Sequence, residues 1–281
     1  MTAVVIRARL DAELVRRGLA RSRQQAAELI EQGRVAVRGV PAGKPATVVD
    51  RDTPITVQES TEREWASRGA HKLIGALDAL PVPVEGRRCL DAGASTGGFT
   101  DVLLRRGAAS VAAVDVGYGQ IAWSLRTDAR VTVIERTNVR TLTPPLIDGV
   151  VDLTVADLSF ISLRLVLPAL AACTDGDLAL MVKPQFEVGK EGVGSGGVVR
   201  NRELRAEAVL DVAATAAGLG LGVAGVTASP LPGPSGNVEF FVWLRRDAPP
   251  ADTGQIRTVV AAGPSGTVAS GAPPPSGKDA P

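Results

Sequence analysis

Four charged residues far apart in the chain, Lys72, Asp157, Lys183 and Glu239, stand where short apolar runs begin or end. Asp157 follows Val-Asp-Leu-Thr-Val-Ala, Lys183 follows Leu-Ala-Leu-Met-Val, and Glu239 opens Glu-Phe-Phe-Val-Trp-Leu. In an open parallel sheet the ligand crevice lies outside the carboxyl ends of the strands, so Asp157 and Lys183 are expected to project into it. A last strand running antiparallel, as the short loop 230–237 permits, brings its first residue, Glu239, to the same edge. Lys72, in Ser-Arg-Gly-Ala-His-Lys-Leu, completes the group from a helix lying across that edge. Two lysines and two carboxylates gathered there suit proton transfer or the stabilisation of a forming oxyanion, with Lys183 the candidate for that role. Lys72 beside it disfavours a charge on Lys183 while Asp157 and Glu239 favour one, so a neutral base and a charged stabiliser both stay open. The bland alternative is an ordinary ion-pair network.

A second constellation is Asp91-Ala92-Gly93-Ala94-Ser95-Thr96-Gly97-Gly98-Phe99, between an apolar run and a helical one. Glycines in such a turn let the backbone pass close to a cofactor. The spacing Asp-x-Gly-x-x-x-Gly differs from the Gly-x-Gly-x-x-Gly that cradles a dinucleotide pyrophosphate, which excludes the nicotinamide reading. Asp91, Gly93, Ala94, Ser95, Thr96, Gly97 and Phe99 are the candidate cofactor residues of this loop. Asp115 ends the next strand, where a carboxylate accepts the ribose hydroxyls of an adenosyl ligand. His71 is the only histidine, and Cys89 and Cys173 lack Cys-x-x-Cys spacing, so no metal site and no disulfide is expected.

These residues need a frame. From about Arg63 the chain alternates short apolar strands with helical stretches, the pattern of an α/β domain around a largely parallel sheet. Strands are expected at 87–92, 110–115, 131–135, 150–156, 177–182, 221–228 and 238–244, and a helix over 202–217 with Leu204, Ala208, Val212 and Ala216 as its buried face. The glycine-rich stretch 188–198 reads as a mobile loop or a lid.

The first 44 residues hold nine basic residues against four acidic ones, although the whole chain is nearly balanced at +1. Leu10, Leu14 and Val15 predict a helix ended by Gly18; Ser22 and Gln25 form a capping box for a second helix ended by Gly33; Val35 and Val37 alternate like a strand. Arg7, Arg9, Arg16, Arg17, Arg21, Arg23, Arg34 and Arg38 make this small α+β unit a candidate phosphate-binding surface. With only five Phe, three Trp and one Tyr, an aromatic nucleic-acid platform is hard to assemble, so charge must carry the contact.

The pattern Leu-Asp-x-x-Leu-Val-x-x-Gly-Leu-Ala-x-Ser-Arg-x-x-Ala from Leu10 to Ala26 resembles the small RNA-binding module first known from a small-subunit ribosomal protein. Lys72, Asp157, Lys183 and Glu239, in that order, resemble the Lys-Asp-Lys-Glu tetrad of ribose 2′-O-methyltransferases. With Arg-Gly-Ala-His-Lys-Leu, Asp-Val-Gly-Tyr-Gly-Gln, Lys-Pro-Gln-Phe-Glu and Pro-Gly-Pro-Ser-Gly-Asn-Val-Glu, residues 7 to 246 resemble the TlyA family of rRNA (cytidine-2′-O)-methyltransferases, often labelled haemolysins. The resemblance implies a Rossmann-like seven-stranded methyltransferase domain with its last strand antiparallel. It implies S-adenosyl-L-methionine as cofactor, rRNA within ribosomal subunits as partner, cytidines of 16S and 23S rRNA as targets, and Asn138 as an adenine contact.

The expected domains are a basic RNA-binding unit with its connector, 1–62, the methyltransferase domain, 63–246, and a disordered tail, 247–281, whose 35 residues include seven Pro and five Gly. Trp65 is expected to anchor the linker by packing. No apolar run approaches the roughly 20 residues of a membrane helix and no signal peptide is evident, so a cytoplasmic protein without membrane contact is expected. No obligate protein partner is evident. The competing functions are a non-catalytic RNA-binding protein that retains a cofactor fold and, less in keeping with the sequence, a membrane-lytic protein.

Overall fold

The computed structural model describes residues 7–20, 22–31, 33–58, 65–233, 235–265 and 267–269. The chain divides into two compact units between Glu64 and Trp65.

In the first unit, β1 (Arg7–Arg9) leads into α1 (Leu10–Arg16), followed by α2 (Arg23–Glu31), β2 (Val35–Val37), β3 (Val40–Pro41), β4 (Val48–Asp50) and β5 (Ile55–Val57). Strand β1 pairs with β4, and β2 pairs with both β3 and β5, all antiparallel. Gly18 and Gly33 take the left-handed φ values of 72° and 70° that let the chain leave each helix. Ser22 Oγ accepts the Gln25 amide at 3.2 Å, the cap that the sequence pattern predicts. Leu10, Leu14, Ala26, Leu29, Ile30, Val35 and Val49 close a small core. So few apolar side chains leave a unit of this size modestly stable by itself.

The second unit is built on one sheet. Its elements are α3 (Ala70–Ala79), β6 (Arg88–Ala92), α4 (Gly98–Arg105), β7 (Ser110–Val114), α5 (Trp123–Arg126), β8 (Val131–Ile134), β9 (Val151–Ala156), α6 (Leu163–Ala172), β10 (Thr174–Val182), α7 (Pro184–Glu187), α8 (Arg202–Ala217), β11 (Gly222–Ala228), β12 (Phe240–Arg245), α9 (Thr253–Ala262) and β13 (Thr267–Ala269). The strand order is β13-β11-β12-β10-β9-β6-β7-β8. Strands β8, β7, β6, β9 and β10 run parallel, and β12 runs antiparallel between β10 and β11. The seven expected strands are all present, the one that closes at Arg245 being the antiparallel one.

Both faces are covered because side chains alternate. Leu178, Leu180 and Val182 of β10 join Leu167, Val209, Val212 and Phe240 on one face. Ala179 and Met181 join Leu73, Val102, Leu103, Phe241 and Trp243 on the other. Each such fully buried Leu or Val contributes on the order of 1.5–3 kcal/mol, which makes this two-faced packing the main source of stability.

Beyond Arg245 the expectation of a disordered tail is overturned up to Ala269. Asp252 Oδ1 accepts the Gln255 amide at 2.9 Å and caps α9, whose Ile256, Val259 and Val260 are buried, and β13 adds a short eighth strand against β11. Proline and glycine on either side masked one amphipathic helix too short to register in composition. Gly266 and residues 270–281 of that expected tail lie outside the described residues. No helix among the described residues is long and apolar enough to cross a membrane.

Candidate active site

Chain order places the site. After β6 the chain builds β7 and β8 on one side, then returns to lay β9 on the other, so the carboxyl ends of β6 and β9 meet where the strand order reverses. Gly93 follows β6 and Asp157 follows β9, and the Asp157 amide donates to the Ala92 carbonyl at 3.2 Å. A Cβ on Gly93, whose φ is 88°, would stand 2.8 Å from the Asp157 carbonyl oxygen. Gly97, with φ 95°, would drive a Cβ into Leu125 Cδ1. Side chains are excluded at both ends of this turn because Asp157 and Leu125 fill the space a Cβ would need, and the Gly93 and Ala94 amides both donate to the Val114 carbonyl.

Asp115, one residue past β7, accepts the Ser95 amide at 2.8 Å and the Gly117 amide at 2.6 Å. Those two bonds lock the carboxylate against the glycine loop and leave lone pairs for a diol. Ser95 and Thr96 are exposed and Ala94 is buried. Two of the expected cofactor residues have other work. The Phe99 ring is core, its centroid 6.0 Å from that of Phe241, because the first turn of α4 faces the sheet; only its backbone borders the loop. Asn138 caps the turn that follows, its Oδ1 accepting the Arg140 amide at 3.0 Å.

Asp91 is fully buried beneath the loop, where Oδ2 accepts the Thr100 hydroxyl at 2.7 Å and Oδ1 has no partner. Burial pushes its carboxyl up to about 7, the Thr100 bonds working against the rise and nearby Asp157 and Asp115 adding to it.

The four expected catalytic residues stand at one edge in two ion pairs. The register Val182↔Phe240 carries Lys183, one residue past β10, opposite Glu239, one residue before β12 rather than within it. Lys183 Nζ lies 2.6 Å from Asp157 Oδ1, outside the alignment of a hydrogen bond, and makes its aligned bond to Ser159 Oγ at 2.9 Å. Lys72 Nζ, reaching in from α3, donates to Glu239 Oε2 at 2.6 Å. Glu239 has 0 % exposure, whereas the Asp157 side chain keeps 23 %, so the Asp157–Lys183 pair is the one nearer solvent.

Three nearby residues escaped the sequence reading. Gln185 Nε2 donates to Glu239 Oε1 at 3.1 Å. Glu187 accepts the Ser162 hydroxyl at 2.5 Å and the Leu163 amide at 2.7 Å, tying the turn after β10 to the segment after β9. Phe160 is 91 % exposed at φ 63°, its ring centroid 5.2 Å from that of Phe186. A strained, solvent-facing phenylalanine three residues from Asp157 costs stability and is the kind of feature kept for binding. Gln185 and Glu187 stand in the sequence only as members of the Lys-Pro-Gln-Phe-Glu motif, with no role of their own, and Phe160 only as a neighbour of Asp157.

In the first unit, two buried carboxylates organise the arginines. Asp11 holds Arg9 and Arg23, each at 3.0 Å, and Glu13 holds Arg16 at 2.6 Å and Arg17 at 2.7 Å. Arg7 and Arg38 stand 3.4 and 3.9 Å from Asp50. Arg34 donates to the Gln58 carbonyl at 2.9 Å. Arg17 also donates to the Thr53 and Arg51 carbonyls, so it braces the unit more than it offers a free charge. Arg21 lies outside the described residues. Trp65 packs beneath the Arg105 guanidinium, 3.8 Å from the ring centroid.

Residues 65–246 match the FtsJ-like methyltransferase family and residues 8–55 match the S4 domain. The chain is 68 % identical over 241 residues to the 16S/23S rRNA (cytidine-2′-O)-methyltransferase TlyA of Mycobacterium tuberculosis, covering 85 % of this chain and 90 % of that one. It is 35 % identical to Hemolysin A of Brachyspira hyodysenteriae, over 83 % of this chain and 98 % of that one. Among solved structures, a Streptococcus thermophilus protein titled a hemolysin superposes with a TM-score of 0.72 at 38 % identity, covering 92 % of this chain and 96 % of that one. A strand-edge Lys-Asp-Lys-Glu tetrad, a glycine loop at the switch point and a basic S4 unit in front agree with these matches, and the chain belongs to the TlyA family of FtsJ-like methyltransferases.

Proposed function

We propose that the chain transfers the methyl group of S-adenosylmethionine to the ribose 2′-hydroxyl of cytidines in 16S and 23S rRNA, acting on ribosomal subunits in the cytoplasm. The observation that carries this reading is the Lys183–Asp157 pair, beside Gly93 at the point where the strand order reverses. The exposed Ser95 and Thr96 of the glycine turn and the locked Asp115 carboxylate fit the methionine and ribose parts of the cofactor. When bound, that cofactor supplies a sulfonium methyl group.

The chain's own residues then have three tasks. Lys183 manages charge on the attacking oxygen: neutral, it takes the hydroxyl proton; charged, it stabilises the forming alkoxide. Asp157 and Ser159 fix where its Nζ stands. Phe160 offers a face to a base at the rim, and Arg9, Arg23 and Arg16, clamped on Asp11 and Glu13, hold phosphates. Positioning of this kind can supply several kcal/mol of the barrier reduction without any new bond to the protein.

The name of the M. tuberculosis relative supplies the cytidine and the two rRNAs. The test is incubation of purified chain with unmethylated 30S and 50S subunits and radiolabelled cofactor, followed by mapping of 2′-O-methyl sites. Label on cytidine 2′-oxygens in both subunits supports the reading, and label on a base atom, or none, rejects it.

A further inference from the structure

Glu239 is sealed from solvent, and both of its oxygens are engaged: Oε2 by Lys72 Nζ at 2.6 Å and Oε1 by Gln185 Nε2 at 3.1 Å. Gly233 crowds the same oxygen so closely that a Cβ there would stand 2.5 Å from it. A carboxylate enclosed in this way cannot reach a substrate; it can only hold other groups in place. Gln185 is the first residue after Lys183 and Pro184, so the backbone turn that aims Lys183 also carries the amide that grips Glu239. Its own Oε1 is buried without a donor, a cost that a side chain free to turn to solvent would avoid. The charged group in contact with this carboxylate is Lys72 on α3, and the Asp157–Lys183 pair stands at the same edge of the sheet.

We infer that Gln185 is a positioning residue for methyl transfer: by holding Glu239, and through it Lys72, against the turn that bears Lys183, it joins the two ion pairs into one unit. The inference rests on the functional reading above and adds to it a fifth residue that touches neither methyl donor nor acceptor.

Two variants of the full chain test it. Q185L keeps the volume and loses the donor; single-turnover transfer at saturating cofactor should fall about tenfold or more, with cofactor affinity within about twofold of wild type. Q185E sets a carboxyl against Glu239. Ionised, it repels; protonated, its O–H donates to Glu239 Oε1 as the amide does, and a carboxyl crowded by another holds its proton to higher pH. The rate of Q185E relative to wild type at the same pH should therefore rise several-fold as pH falls from 8 to 5.5, a response that simple misfolding would not give. Wild-type rates for Q185L, or a Q185E ratio flat with pH, overturn the inference.

A readout independent of transfer separates this outcome from failure of the functional reading. Acetylation of Lys72 by a soluble acetylating reagent, followed by mass spectrometry, should speed up several-fold in Q185L as Glu239 loosens. Unchanged Lys72 labelling would overturn the coupling even if the chain transferred no methyl group at all.

Discussion

Lys183 Nζ lies 2.6 Å from Asp157 Oδ1 yet directs its aligned hydrogen bond to Ser159 Oγ at 2.9 Å, so two residues of one strand-end segment set the position of a lysine on the neighbouring strand. Asp157→Asn keeps the shape of that segment and removes its charge. Single-turnover transfer should fall by about 10²-fold, within the usual range for a misplaced acid–base group, while Ser159→Ala costs only a few-fold. Equal losses for the two variants would mean that hydrogen bonding rather than charge holds Lys183.

The glycine loop makes a steric prediction. In Gly93→Ala the new methyl meets the backbone carbonyl of Asp157, which cannot move without shifting β9; in Gly97→Ala it meets the flexible end of Leu125. Both also carry the strain of a left-handed φ, roughly 1–2 kcal/mol. Gly93→Ala should therefore weaken cofactor binding at least tenfold in a calorimetric titration. Gly97→Ala should lower the melting temperature by several degrees with a smaller loss of affinity.

Asp91 gives the second unit a pH dependence of unusual sign. Its carboxyl is raised from 3.8 to about 7, so the folded state holds a proton that the unfolded chain releases. The stability this brings is complete below pH 3.8 and is lost as pH rises through about 7, a difference on the order of 4 kcal/mol. Asp91→Asn mimics the protonated carboxyl at every pH. The melting temperature of the variant minus that of wild type should climb between pH 5 and pH 8; parallel curves would refute the assignment.

How much of this was readable in advance follows from what each residue does. Lys72, Asp157, Lys183 and Glu239 were legible because strand ends are marked by an abrupt change from apolar to charged residues, and strand order then fixes the edge to which they belong. Gln185 and Glu187 were not, because an amide or a carboxylate inside a turn has no periodicity and only tertiary packing shows which neighbour it meets. Phe99 reads as a loop residue from its place next to Gly98, but a side chain in the first turn of a helix points wherever the helix packs, here into the core. Helix α9 was hidden by composition: three buried apolar residues decide its fate while the prolines and glycines around it dominate any average.

In the first unit the sign is the ordinary one. Arg16 and Arg17 hold the Glu13 carboxyl at about 2, so the stability it brings is present above pH 4.5 and lost as pH falls through 2. Glu13→Gln should flatten the acid-unfolding limb followed by circular dichroism between pH 4.5 and 2. Because it frees Arg16 from its clamp, it should also weaken rRNA binding a few-fold at low salt. Unchanged affinity would mean that the clamp serves folding alone.

A role for Lys183 on the attacking oxygen is checked by measuring methyl transfer to ribosomal subunits and cofactor binding side by side for Lys183→Ala. Cofactor affinity should stay within about threefold of wild type while transfer falls by about 10³-fold or more. Transfer at the wild-type rate, with cofactor bound as before, would contradict that role.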